Sequence, residues 1–236
     1  MNNPFAITLR SKTDLSPVTL EQLRISTYFV NANLKELHES NLISGNGLPF
    51  IESIESRNLT PKLIQEIESS HTWVYVQALW TYAETGVISE NLTSFHMEDV
   101  ISALTQWICA ILPMCEYQGE YALDPVLKVV IKALARMKLE FGVDFESGGD
   151  VEAIPSIQGE LITLSSGWWS QVALKHLTVL ELALLAGIKN INTVRNAQYV
   201  KEKPLEVIKE DGGVFISVEV AREWLAGRRG FVALKS

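Results

Sequence analysis

Leu177–Val200 reads LTVLELALLAGIKNINTVRNAQYV. Its first half is almost entirely apolar and its second half is crowded with Asn, Thr, Arg, Gln and Tyr. Thr178 and Glu181 form a T-x-x-E pair, the pattern in which a hydroxyl and a carboxylate reciprocally satisfy the free amides at a helix start. A helix is therefore expected from there to about Ala186, broken by Gly187, with a further helix beginning near Asn192. On a helix turning about 100° per residue, Ile191, Val194 and Ala197 fall to one side. Asn192, Arg195, Asn196 and Tyr199 stand at i, i+3, i+4 and i+7 on the other. The polar residues form a row, not a scatter. Asn can pair with adenine, Arg with guanine, and Thr or Tyr can hold a phosphate or touch a thymine methyl; a good paired contact discriminates between bases by about 1–3 kcal/mol.

The neighbouring segments extend this pattern. GWWSQVALKH (167–176) reads as a short helix. After Pro204, LEVIKEDGGVFIS (205–217) gives two β-rich runs around an Asp-Gly-Gly turn, a hairpin signal. Ser217 then caps VEVAREWLAGRRGF (218–231), a helix expected to stop near Gly227. Asn192 and Thr193 would lie at a helix start, where free amides favour phosphate. Lys209 beside Gly212 and Gly213, Lys201 and Lys203, and Arg228 and Arg229 are further candidates for phosphate contact.

At these residues the chain resembles a known family. LTVLELALLAGIKNINTVRNAQ followed by LEVIKEDGGVFISVEVAREWLAGR is similar to the winged helix-turn-helix of the excisionase and MerR-like regulators. The common features are an E-L-A run, a Gly at the turn, T-V-R at the recognition helix, and an isoleucine-ended hairpin leading into a helix with W-L. The resemblance covers residues 168–236. It implies that Thr193, Arg195, Asn196 and Tyr199 face the major groove and that the Val207–Phe215 hairpin is the wing. One departure stands out: Val194 follows Gly187 by seven residues, so IKNIN carries one residue more than such turns usually hold.

Upstream, the chain reads differently. SPVTLEQLRISTYFVNANLKELHE (16–39) has a proline-led start and apolar residues at Leu20, Leu23, Tyr28, Val30, Leu34 and Leu37. TPKLIQEIESS, HTWVYVQALWTYAETG, SFHMEDVISALTQWICAIL and DPVLKVVIKALARMKLEFG continue the helical pattern. In the last of these Asp124 is the expected N-cap, Pro125 the first helical residue and Gly142 the stop. FESGGDVEAIPSIQGELITLSS (145–166) breaks it with Gly148-Gly149, Pro155 and Gly159, and carries one short β-like run, ELITL. The expected class is mainly α: a helical assembly or partner domain over 1–145, a connecting segment over 146–166, and a winged helix-turn-helix domain with a short β-hairpin over 167–236.

Charge is divided along the same line. The 236 residues carry a net charge of −8, but residues 1–169 hold 10 Lys+Arg against 21 Asp+Glu, and residues 170–236 hold 10 against 7. An acidic helical part repels DNA, whereas the C-terminal part carries the sign a phosphate reader needs. A weakly positive unit gains from pairing, since a symmetric dimer offers two recognition helices about 34 Å apart. A homodimer on double-stranded DNA is therefore expected, with a protein partner or small-molecule effector on the helical domain.

Other classes find little support. The apolar runs near ALTQWICAILPMC and LTVLELALLAGI are about a dozen residues long, too short to span a membrane. MNNPFAITLRSKTD lacks the order of a secretory signal, so a cytoplasmic address is expected. Cys109 and Cys115 read as reduced core residues, not a metal site. His96, Glu98 and Asp99 lie close in sequence but diverge on a helix. Trp73, Trp80 and Trp107, with Tyr75 and Tyr82, read as core. No catalytic motif or cofactor loop is present, so the chain is read as a non-enzyme without cofactor. The alternative from another class is an adaptor or scaffold whose winged domain docks protein. Finally, Val179–Ala186 is apolar on nearly every side. It needs cover on more than one face, from the N-terminal domain, from Trp168-Trp169 or from a second subunit. A fixed C-terminal unit follows as an expectation.

Overall fold

Thr19 and Gln22 start the first helix: the Thr19 hydroxyl accepts from the Gln22 amide at 3.2 Å, and Gln22 Oε1 accepts from the Thr19 amide at 3.0 Å. This reciprocal cap places the beginning of α1 (Leu20–Ser40) just after the proline-led lead-in, which is irregular chain. The computed structural model describes residues 14–40, 59–88, 94–118, 122–141, 176–210 and 213–233. The expected connecting segment, its ELITL strand and residues 167–175 of the expected short helix lie outside them.

Thr60 caps α2 (Pro61–Glu68), with Pro61 at its first turn where a missing N–H costs nothing. Ser70 caps α3 (His71–Thr85), and Gly86, at φ 72°, ends it by donating to the Tyr82 carbonyl at 2.8 Å. Helix α4 (Ser94–Gln118) runs on through Pro113. Helix α5 (Asp124–Phe141) is the hub. It packs against α1 and α3 on the N-terminal side and against the C-terminal helices on the other. From Val126 to Leu139 nearly every residue is buried, including three cations.

The C-terminal part begins with β1 (His176–Thr178), followed by α6 (Val179–Leu185), α7 (Ile191–Ala197), β2 (Ile208–Glu210), β3 (Gly213–Ser217) and α8 (Val218–Ala226). The strands form one antiparallel sheet in the order β1-β3-β2, with His176 opposite Ser217 and Glu210 opposite Gly213. Eight helices and three short strands among the described residues make the protein mainly α. Buried residues from Leu15 to Leu225 belong to one connected core.

Several local expectations hold. The Thr178–Glu181 capping box is present on both sides. The two strands of the expected hairpin pair antiparallel, Ser217 caps α8, and Gly227 ends it. Helix α6 is buried at all seven positions, and its outer cover includes α5.

Others need correction. His176, placed in a short helix by sequence, belongs to a strand: the Thr178 cap needs extended backbone just before α6, and β3 offers His176 and Leu177 a ladder to join. The helix expected over 192–200 ends at Ala197, because the Leu205 amide turns back to take the Ala197 carbonyl at 3.0 Å. Tyr199 therefore lies beyond the helix. Asp124 is the first residue of α5 and not the residue before it.

Candidate nucleic-acid interface

The turn between α6 and α7 is built by its end-groups. Gly187 adopts φ 63°, its amide donates to the Leu184 carbonyl at 3.2 Å, and the Ile188 amide donates to the Ala183 carbonyl at 3.0 Å. This two-bond closure is the Schellman arrangement, and it requires a left-handed residue at that point. Asn190 then starts α7, its side chain accepting from the Asn192 amide at 2.9 Å.

Helix α7 divides as its sequence dictates. Val194 and Ala197 are buried, Ile191 is half-buried, and the helix lies on α6. Asn192, Thr193, Arg195 and Asn196 are exposed. Arg195 Nη1 donates to Asn192 Oδ1 at 3.1 Å, so the two side chains of the row support each other. Tyr199, 73% exposed, sits in the turn beyond the helix and off its register, next to the exposed Val200.

The other predicted residues are exposed at three places. Lys201 and Lys203 sit in the bend that the Leu205–Ala197 bond returns to the end of α7. Lys209 is carried on β2, fastened through β3 to β1 and so to the start of α6. Arg228 and Arg229 follow α8. Arg228 lies over the Trp224 ring at 4.0 Å, and the adjoining Gly230 abuts Ala186 and Gly187. The Arg pair thus stands near the α6–α7 turn, whereas Lys201 and Lys203 stand at the opposite end of α7. Lys189, exposed within that turn, is a cation the sequence reading passed over.

A second set of residues positions this surface, and sequence reasoning missed it. Lys138 donates to Glu181 at 2.6 Å, both side chains almost fully buried, while the other Glu181 oxygen accepts from the Thr178 amide at 2.7 Å. Arg136 reaches the Val232 carbonyl at 2.8 Å, the Ala83 carbonyl at 3.2 Å and Glu140 at 3.1 Å. Tyr82 donates to the same Glu140 at 2.5 Å. Burial pushes the Glu140 carboxyl above the usual carboxylate range, against the pull of Tyr82 and Arg136. Lys132 pairs with Glu84 at 2.6 Å, and burial lowers its ammonium despite that partner. Arg222 donates to the Leu139 carbonyl near the end of α5. Lys128, Lys132, Arg136 and Glu140 recur every four residues, a spacing that in sequence looks like a solvated face. Here it is an inward row that ties α5 to its neighbours.

The dent lined by Ser16, Pro17, Glu84, Lys128 and Lys132 has room for about one water. It holds no substrate-sized space. Comparison of the chain with protein-family models, with curated proteins and with solved structures gives no match in any of the three.

Proposed function

We propose that the C-terminal part of the chain binds double-stranded DNA in a sequence-specific manner, as a regulator of transcription acting as a homodimer. In this reading α7 enters the major groove, the β2–β3 hairpin serves as a wing, and the helical N-terminal part supports assembly. The observation that carries it is the solvent-facing row Asn192, Thr193, Arg195 and Asn196 on a helix whose opposite face is packed on α6. Such side chains match base edges and phosphates, and exposed cations at Lys189, Lys201, Lys203, Arg228 and Arg229 stand toward both ends of the row. The helix–turn–helix–hairpin–helix order and the family resemblance support the same reading.

Selection of random duplexes by the purified protein, followed by sequencing, tests it. An enriched inverted repeat is the expected result, its half-sites separated by about one helical turn. Recovery of no preferred sequence and no retained duplex overturns it. The exposed apolar pair Tyr199–Val200 favours a second reading, an adaptor that docks protein through this surface. Duplex retention that is lost on Arg195→Ala and kept on Val200→Ser decides for DNA.

A further inference from the structure

The turn that aims α7 is held from outside by two strands of irregular chain. The first is Asp14–Val18, which precedes α1 and crosses over the turn. Its Leu15 amide donates to the Lys189 carbonyl at 3.2 Å, Pro17 lies beside Gly187, and Leu15 and Val18 are buried. The second is Arg228–Val232, where Gly230 presses on the Ala186 carbonyl and Phe231 sits under the Arg136 guanidinium at 5.1 Å. Both are fastened to one side of α5, eight residues apart: Lys128 donates to the Asp14 carbonyl, and Arg136 to the Val232 carbonyl.

The two holds differ in how open they are. Arg136 is 1% exposed and bonded to four groups counting its ring contact, so the second strand is fixed by a desolvated cation. At the first strand, Asp14 and Pro17 are exposed and Lys128 and Ser16 are half-buried, so water reaches the fastening. Segments with few buried contacts and accessible hydrogen bonds open independently of the rest of a fold.

We propose that Asp14–Val18 is a releasable strap. Closed, it fixes the Gly187–Asn190 turn and the pose of α7; open, it leaves the turn held from one side only, and α7 can tilt about Gly187. Lys128 is the positioning residue of this device. The inference concerns the motion of the turn and holds whatever α7 binds.

Hydrogen exchange read by mass spectrometry on the full chain tests it, comparing the unaltered protein with Lys128→Met, Leu15→Ala and Lys128→Arg. The expected result for the first two is a loss of amide protection of about tenfold in peptides covering 184–194, with α3 and α5 unchanged. Lys128→Arg, which keeps a donor, should retain most of that protection. Unchanged exchange over 184–194 overturns the strap. So does an equal loss across α3 and α5, which would make the strap part of the global core. Because exchange is read without any nucleic acid, its failure is distinguishable from failure of the DNA-binding reading.

Discussion

At the scale of single residues, Glu181 serves two elements at once. One oxygen completes the cap of its own helix and the other takes Lys138 from a helix 43 residues away. Removing one member of a buried pair strands the other charge, at a cost of about 3–5 kcal/mol, whereas replacing both by apolar residues is often near neutral. Lys138→Met alone is therefore expected to lower unfolding stability in urea by about that amount. Adding Glu181→Leu should recover much of the loss, short of the roughly 1 kcal/mol that a helix cap contributes. Strictly additive losses would mean that the pair does not act as one. Gly230→Ala is a second residue-scale test. A Cβ there would stand 2.4 Å from the Ala186 carbonyl oxygen, backbone that cannot swing aside. A loss of about 1–3 kcal/mol is expected by the same urea measurement. The cap half of Glu181 was legible, because T-x-x-E is local. The Lys138 half was not, because nothing in a linear sequence records which helix lies across a core.

At the scale of elements, α7 followed its sequence closely and β1 did not. The apolar side of α7 could be read from spacing, since Val194 and Ala197 must find cover and α6 lies within a short turn. Its end could not: the helix stops where the Leu205 amide, returning through the following bend, claims the Ala197 carbonyl, and so Tyr199 lies off the helix. Strand β1 is three residues long and exists only because β3 pairs with it, a partner about forty residues downstream. The division of labour between elements gives a test on duplex binding. Arg195→Ala should flatten preference among sequences by about 1–3 kcal/mol at one position. Lys209→Ala should weaken binding to all sequences alike and reduce the salt slope by about one unit. Loss of affinity without loss of preference on Arg195→Ala would remove α7 from the groove.

For the whole molecule, the acidic helical part and the weakly basic end are not separate bodies in the described residues. Buried side chains of α5 join them, and α6 has no exposed position. A fragment beginning at residue 170 is expected to lack the cooperative thermal transition of the full chain, since α6 would expose the face that α5 now covers; near-ultraviolet circular dichroism checks this. A fragment with native-like cooperativity would show that the cover is dispensable. Beside the mainly α class, the apolar surplus of α6 was legible in sequence at this scale, because a helix without a polar side demands two neighbours. The inward row on α5 was not visible, because regularly spaced charges ordinarily mark water.

That row carries a consequence for how the chain can vary. A helix buried at every position from 129 to 139 offers little spare surface there, so that length of α5 cannot take up a new charge, lose a large side chain or shift by a residue without several neighbours adjusting together. In a saturation scan read by cellular abundance, positions 126–139 should form the least tolerant stretch of the protein. The outward residues of α7, whose side chains face water and not the core, should accept most replacements and betray their purpose only when a partner is added to the assay.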